Sequence, residues 1–172
     1  MAQTDLRKRS VQEKLNSMAI DVISVDMVTD AETIADNTLI SQPTEIENAV
    51  AVAGGAAIIQ SIIISNQDDT VDAGAIDVVF LDVDQALAGD EGGAINISDT
   101  YMPNILGVVT VSNWTTFVPS GNQVATKTNV GLAVKAAANS RSIYVGLINR
   151  SGANFTPWAT SAVRIKIGLV KD

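Results

Sequence analysis

The chain is 172 residues long, 47% hydrophobic and 17% charged, with a net charge of −8; this is enough for one domain with a filled core and excludes wholesale disorder. It contains no cysteine and no histidine, which excludes disulfides, thiolate nucleophiles and His-based zinc or triad sites. Aromatic residues make up only 4%, too few for a basic, aromatic-interleaved nucleic-acid face, and no apolar run approaches the roughly 18–20 residues of a membrane-spanning helix.

In chain order, the first segment is DLRKRSVQEKLNSM (5–18), the one good helix candidate. Ser10 and Glu13 stand at capping-box spacing, and Val11, Leu15 and Met18 fall at i, i+4 and i+7 on one stripe. Three cations just before Ser10 would oppose the helix dipole if the helix began there. The expectation is a short helical or extended arm that either frays or orders against a partner, since so short a helix needs something to pack on. No apolar block with a small-residue cleavage site follows this basic start, so synthesis in a cytoplasm is expected.

Strand signals follow. VISVDMVT (22–29) alternates loosely, Pro43 marks a break, and EIENAVAV (45–52) reads as the next strand before a Gly54-Gly55 turn. AIIQSIIIS (57–65) is rich in β-branched isoleucine, and AIDVVFLDVD (75–84) starts apolar and then alternates. After the loop QALAGDEGG come NILGVVTVS (104–112), TTFV (115–118), QVATKTNVGLAV (123–134), SIYVGLINR (142–150) and ATSAVRIKIGLV (159–170). Seven to nine short strands separated by Gly, Asn, Asp and Pro turns predict an all-β fold, an antiparallel β-sandwich or barrel. The expected organisation is an N-terminal arm at 1–20 and one β domain at 21–172.

The stretch IIQSIII (58–64) has the composition of a steric-zipper segment, a hazard on any exposed edge. Strict alternation places Ile58, Gln60, Ile62 and Ile64 on one face and Ile59, Ser61 and Ile63 on the other. Each face is mostly apolar, so the strand is expected to be covered on both sides. The opposing sheet covers one side; a neighbouring subunit, an arm or a long loop covers the other.

Charge is distributed in blocks. Residues 1–14 carry Arg7, Lys8, Arg9 and Lys14 against Asp5 and Glu13; residues 15–126 hold sixteen acids and no Lys or Arg; residues 127–172 hold seven basic residues and only Asp172. Two compatible readings follow: acidic and basic strands pair within one sheet, or an acidic face of one subunit meets a basic face of the next.

Motifs that would bring chemistry fail on inspection. Asp82, Asp84, Asp90 and Glu91 in LDVDQALAGDEGG suggest a calcium loop, but an EF-hand needs an oxygen ligand and then Gly where this chain has Ala86 and Leu87. A solvated polar loop is the better reading, and a glycosidase pair has no support from proximity in sequence. The sequons at Asn96, Asn113, Asn149 and Asn154 read as turn residues. Gly54-Gly55 and Gly92-Gly93 lack the rest of a phosphate loop. Trp114 and Trp158 read as packing residues, with a sugar platform as the alternative.

The runs AAIIQSIIISNQDDTVDAGAIDVVFLDVD, GGAINISDTYMPNILGVVTVSNWTTF and NVGLAVKAAANSRSIYVGLINRSGANFTPWATSAVRIKIGLV resemble, in their order of strands and turns, the small capsid decoration (cement) proteins of tailed bacteriophages. The corresponding stretches are Ile76–Asp84, Ile97–Val109, Ile143–Trp158 and Val163–Val170, so the likeness spans about residues 50–172. It implies a jelly-roll-like sandwich on the outer surface of an icosahedral head, a homotrimer bridging major capsid protein subunits. Such a protein stabilises the shell by binding only its assembled form. No enzyme activity, cofactor, metal, nucleic acid, membrane or small-molecule substrate enters that expectation. The residues expected to meet a partner are Arg7, Lys8, Arg9 and Leu15 of the arm and Ile59 and Ile63 of the zipper-like strand. The rival expectation is a receptor- or carbohydrate-binding β-sandwich of a phage tail or surface protein, which would display Trp114 or Trp158 in a groove.

Overall fold

Runs of β-branched residues bounded by turn formers fold, among the described residues, as nine strands, because branched side chains pack well on a pleated surface and lose rotamer freedom in a helix. A computed structural model describes residues 19–29, 33–67, 74–117, 121–155 and 163–171. The strands are β1 (Ala19–Met27), β2 (Leu39–Ile46), β3 (Ala56–Asn66), β4 (Ile76–Leu81), β5 (Ile105–Val111), β6 (Trp114–Phe117), β7 (Asn122–Lys135), β8 (Ile143–Asn149) and β9 (Val163–Lys171). A 3-10 turn, Met102–Asn104, precedes β5. The arm, with Arg7, Lys8, Arg9 and Leu15, lies outside the described residues, as does Trp158.

Two antiparallel sheets form the sandwich, one in the order β1-β9-β3-β7-β6 and one in the order β2-β8-β4-β5. Pairing is nested: β4 pairs with β5, β3 with β7, β2 with β8 and β1 with β9. The chain is thus one long hairpin rolled up so that successive pairs fall in alternate sheets, which is the jelly-roll arrangement. β6 is an addition on the far side of β7. The expected sandwich is present, and its strand order is of the jelly-roll type.

Inward residues of both sheets meet in one aliphatic core. Ile59, Ile62 and Ile64 of β3, Ile165, Ile167 and Leu169 of β9, Val78 and Phe80 of β4, and Val145 and Leu147 of β8 are all fully buried in it.

Two expectations required correction. The second strand is Leu39–Ile46, not 45–52. Pro43 does not end it, because β2 is an edge strand and its register against β8 shifts between Ser41 and Thr44, the interval that holds Pro43, where a missing N–H costs little. The run expected as a strand is instead a turn held by Val50 N–H donating to Arg141 O at 3.1 Å and Gly54 N–H to Ser140 O at 2.8 Å, with Ala49 and Val50 packed into the core.

The second correction concerns IIQSIII. Against β9, Ile59 pairs with Leu169 and Ser61 with Gly168, so Gln60 is an extra, bulged residue. One inserted residue reverses the alternation. Ile59 therefore shares the inward face with Ile62 and Ile64, while Ile58, Ser61 and Ile63 face outward.

Candidate interaction surface

With the interior filled by side chains, the molecule presents two outer sheet faces and four edges. Much of the outer face of the four-stranded sheet is covered by the chain itself, although Val108 of the edge strand β5 stays exposed. Leu39, Val79, Leu81 and Ile148 on that face pack with Leu87 and Ala88, and Ile95, Ile97, Ile105 and Tyr144 close the cluster. The covering loop is tied down at several points: Gln42 Nε2 donates to Ala88 O at 2.9 Å, Leu87 N–H to Gln42 Oε1 at 3.1 Å, Gly92 N–H to Leu39 O at 2.7 Å and Leu39 N–H to Gly93 O at 3.0 Å. The acidic loop expected to be merely solvated is thus half of a second apolar cluster. Among the described residues, no group of three or more acids is placed to hold a metal ion. Beneath this loop, burial and the carboxylates of Glu45 and Asp84 raise the Tyr144 phenol above its ordinary pKa.

The outer face of the five-stranded sheet differs. Cross-strand register places Ile20, Val170, Ile58 and Ala133 in one row across β1, β9, β3 and β7. Val22 stands beside that row. Ile20 is 82% and Val22 62% exposed, whereas Ile58 and Val170 are half-buried. Toward the other end the face turns polar, with Ser24, Lys166, Ile63 and Thr126 in one row and Asp26, Arg164, Ser65 and Val124 in another. Ile63 is half-buried between Lys166 and Thr126, whose aliphatic parts shield its flanks. Ile59 has no exposed surface, so the bulge at Gln60 removes it from the partner-facing set.

At the side of the sandwich where β1 and β2 adjoin, an open groove of about 520 Å³ is lined by Asp21, Asp26, Thr44, Glu45, Glu47 and Asn48 among others. Two of its carboxylates are already engaged. Lys171 Nζ donates to Asp21 Oδ2 at 2.7 Å, and Arg164 pairs with Asp26. The hydrogen bond and charge of Lys171 hold the Asp21 carboxyl below its usual pKa, the opposite of what a general acid requires. Asp77 accepts from Arg150 Nε at 3.0 Å and from Thr110 Oγ1 at 2.6 Å. Each of these three ion pairs joins the acidic middle of the chain to its basic end, so part of the charge segregation serves pairing within the sandwich.

Trp114 is half-buried against the core, with its indole Nε1 donating to Gly74 O at 2.7 Å. Its indole is thus engaged in packing and in a hydrogen bond, as expected for a packing residue. Asn149 of the third sequon is buried, with Nδ2 donating to Ile34 O, Ala35 O and Ala153 O at 3.1, 3.1 and 2.9 Å. Sequence reasoning missed the apolar row. Its signal lies in AIDVISVDM, where Ile20 and Val22 occupy one parity while Val25 and Met27 occupy the other.

No protein-family model and no curated protein sequence matches the chain. Among solved structures, one titled Desmodium yellow mottle tymovirus aligns over 91% of this chain and 83% of that one, with 11% identity and a TM-score of 0.26. Overlap at that level is too low for the two folds to be equated. No helix among the described residues is long and apolar enough to cross a membrane.

Proposed function

We propose that this chain is a structural virion protein that binds the outer surface of a tailed-phage capsid and bridges its major capsid subunits as a homotrimer. The observation that carries the reading is a jelly roll filled with aliphatic side chains, with an outer sheet face that leaves Ile20 and Val22 exposed. A molecule so built works by docking rather than by chemistry. Jelly rolls recur in capsid proteins, lectins and cupins, so the fold alone does not choose among roles. The order of segments like that of capsid decoration proteins favours the capsid. In this reading Arg7, Lys8 and Arg9 reach the shell, Ile63 lies on the face turned to a neighbouring subunit, and binding stabilises the assembled head by mass action.

Sedimentation with expanded phage heads lacking this chain tests the reading. Full-length protein should pellet with heads as a trimer, and a chain lacking residues 1–17 should stay folded but bind more weakly. Full-length protein that stays in the supernatant would refute the capsid role, and equal binding by both forms would remove the arm from it.

A further inference from the structure

Of the four sheet edges, β1 is charged, β2 is interrupted by Pro43 and β6 is short. The fourth, β5, has no such feature: it reads ILGVVTV, with no charge and no proline. Its register shift falls at Leu106, between Ile105 and Gly107, and leaves residues 108–111 regular. The hydrogen-bond phase of β5 follows from its neighbour. Arg150 N–H donates to Ala75 O on the β8 side, so the even residues Ile76, Val78 and Phe80 of β4 bond toward β5, where they meet Val111, Val109 and Gly107. Val108 and Thr110 therefore turn their N–H and C=O groups away from the sheet, and among the described residues nothing hydrogen-bonds those groups. Val108 is 53% exposed, and Thr110 is exposed too. Unpaired groups on an uncharged edge strand are a template for another strand.

We propose that this edge pairs with the same edge of a second copy, β5 against β5, antiparallel about a two-fold axis at Val109. That register sets Val108 opposite the partner's Thr110, and Thr110 opposite the partner's Val108. Each of these two pairs exchanges two hydrogen bonds, so all the outward groups of both residues find mates. Three considerations select a second copy over a foreign strand. The first is charge. Each chain carries −8, yet β5 is neutral, and the acid beside it, Asp77, is already paired with Arg150 Nε at 3.0 Å and Thr110 Oγ1 at 2.6 Å. Two copies meet here without setting like charges against each other, and a charged foreign strand gains nothing. The second is closure. Self-pairing joins the two four-stranded sheets into one that ends on both sides in β2, whose Pro43 and register shifts stop further addition. A foreign strand would leave a new open edge. The third is symmetry: a two-fold contact uses one surface twice, so a single self-complementary patch suffices. The inference does not depend on the capsid reading, and the pairing doubles whatever unit the chain otherwise forms.

Sedimentation equilibrium of the full chain tests the pairing. The interface is small, so the measurement is made at about 100 µM, where weak contacts are populated. The unmodified chain should show twice the mass of Thr110→Pro and of Val108→Lys, with cooperative urea unfolding showing that all three are folded. Proline at 110 removes an outward N–H and leaves the ladder to β4 intact, while lysine at the exposed position 108 is the charge that edges carry against pairing. Equal masses for all three would overturn the proposal. The axis gives a second readout, because the chain contains no cysteine of its own. Across it the two Val109 Cα atoms lie about 4.5 Å apart, within disulfide reach. The two Thr110 residues are diagonal neighbours, roughly 7–8 Å apart. On mild oxidation Val109→Cys should therefore give a disulfide-linked dimer at least tenfold faster than Thr110→Cys. Val109 is buried in the single molecule and Thr110 is exposed, so random collision gives the opposite order. That order, or equal rates, would likewise overturn the proposal.

Discussion

Substituting Gly146 should show whether the loop over the four-stranded sheet is truly packed. A Cβ on Gly146 would lie 2.7 Å from Leu87 Cδ1, with Ser41 O and Pro43 Cγ at 3.4 and 3.5 Å. Two carbons sit comfortably at about 3.5–4.0 Å, so the Leu87 contact is short by about 1 Å and the others are ordinary. Gly146→Ala should therefore cost about 1–3 kcal/mol from overpacking, less the roughly 0.4–1 kcal/mol that an added Cβ contributes by restricting the unfolded chain. Leu87 is fully buried, so Leu87→Ala alone should cost about 2–5 kcal/mol, toward the low end if the loop settles into the space. Once Leu87 is truncated the clash disappears. Gly146→Ala should then be neutral or stabilising by up to about 1 kcal/mol, a reversal of sign. Urea unfolding of all four members of the cycle gives the coupling, and each kcal/mol should move Tm by about 2–4 °C. Additive effects would mean that Leu87 does not rest on Gly146 and that the loop is not a packed cover.

Further consequences follow from the polar contacts. Asn149→Ala should destabilise by about 1–3 kcal/mol, because the buried amide that ties Ile34 O, Ala35 O and Ala153 O together is lost; Asn149→Asp should be no better, since it turns an oxygen toward them. The Asp21 carboxyl has a folded-state pKa below its unfolded value of about 3.9, so its contribution is present above that pH and lost as pH falls through the folded value. With the Asp21 side chain half exposed, Asp21→Asn should cost about 1 kcal/mol or less at pH 7, and the two proteins should converge in urea midpoints near pH 2. Tyr144 has a raised folded-state pKa, so its contribution is complete below about pH 10 and lost as pH rises through the folded value. Absorbance at alkaline pH should show a phenol ionising late, and Tyr144→Phe should remove that step.

The strands most legible in the sequence were those in the middle of a sheet. β3, β4 and β9 are rich in Ile and Val and bounded by turn residues, and their positions depend on local pattern alone. What the sequence did not disclose depends on partners distant along the chain. The bulge at Gln60 exists because β3 must match both β7 and β9, and nothing within IIQSIII signals it. Pro43 reads as a break unless β2 is known to be an edge, a property of the whole sheet order. In the loop after β4, four acids dominated the reading, yet Leu87, Ala88, Ile95 and Ile97 were the residues that decided its place. The apolar row is written one residue per strand over four strands, so only the register assembles it.

The zipper-like stretch can now be placed by physical argument. A segment such as IIQSIII is dangerous when it forms an edge, since unpaired N–H and C=O groups then template another chain. Here β3 lies between β9 and β7, with both of its edges paired. Its strongest apolar residues point into the core, while Ser61 interrupts the outward side and Lys166 flanks Ile63. Three of the four edges carry protective devices: β6 is four residues long, β2 contains Pro43 and two register breaks, and β1 bears Asp21 and Asp26. Edges of this kind disfavour strand addition. Of the two faces, one is already closed by the chain's own loop, and the other carries its largest exposed aliphatics on the edge strand where the arm begins. The danger in the sequence was met by placing the segment centrally, where both of its edges are paired, and by leaving three of the sheet edges to strands poorly suited to pairing.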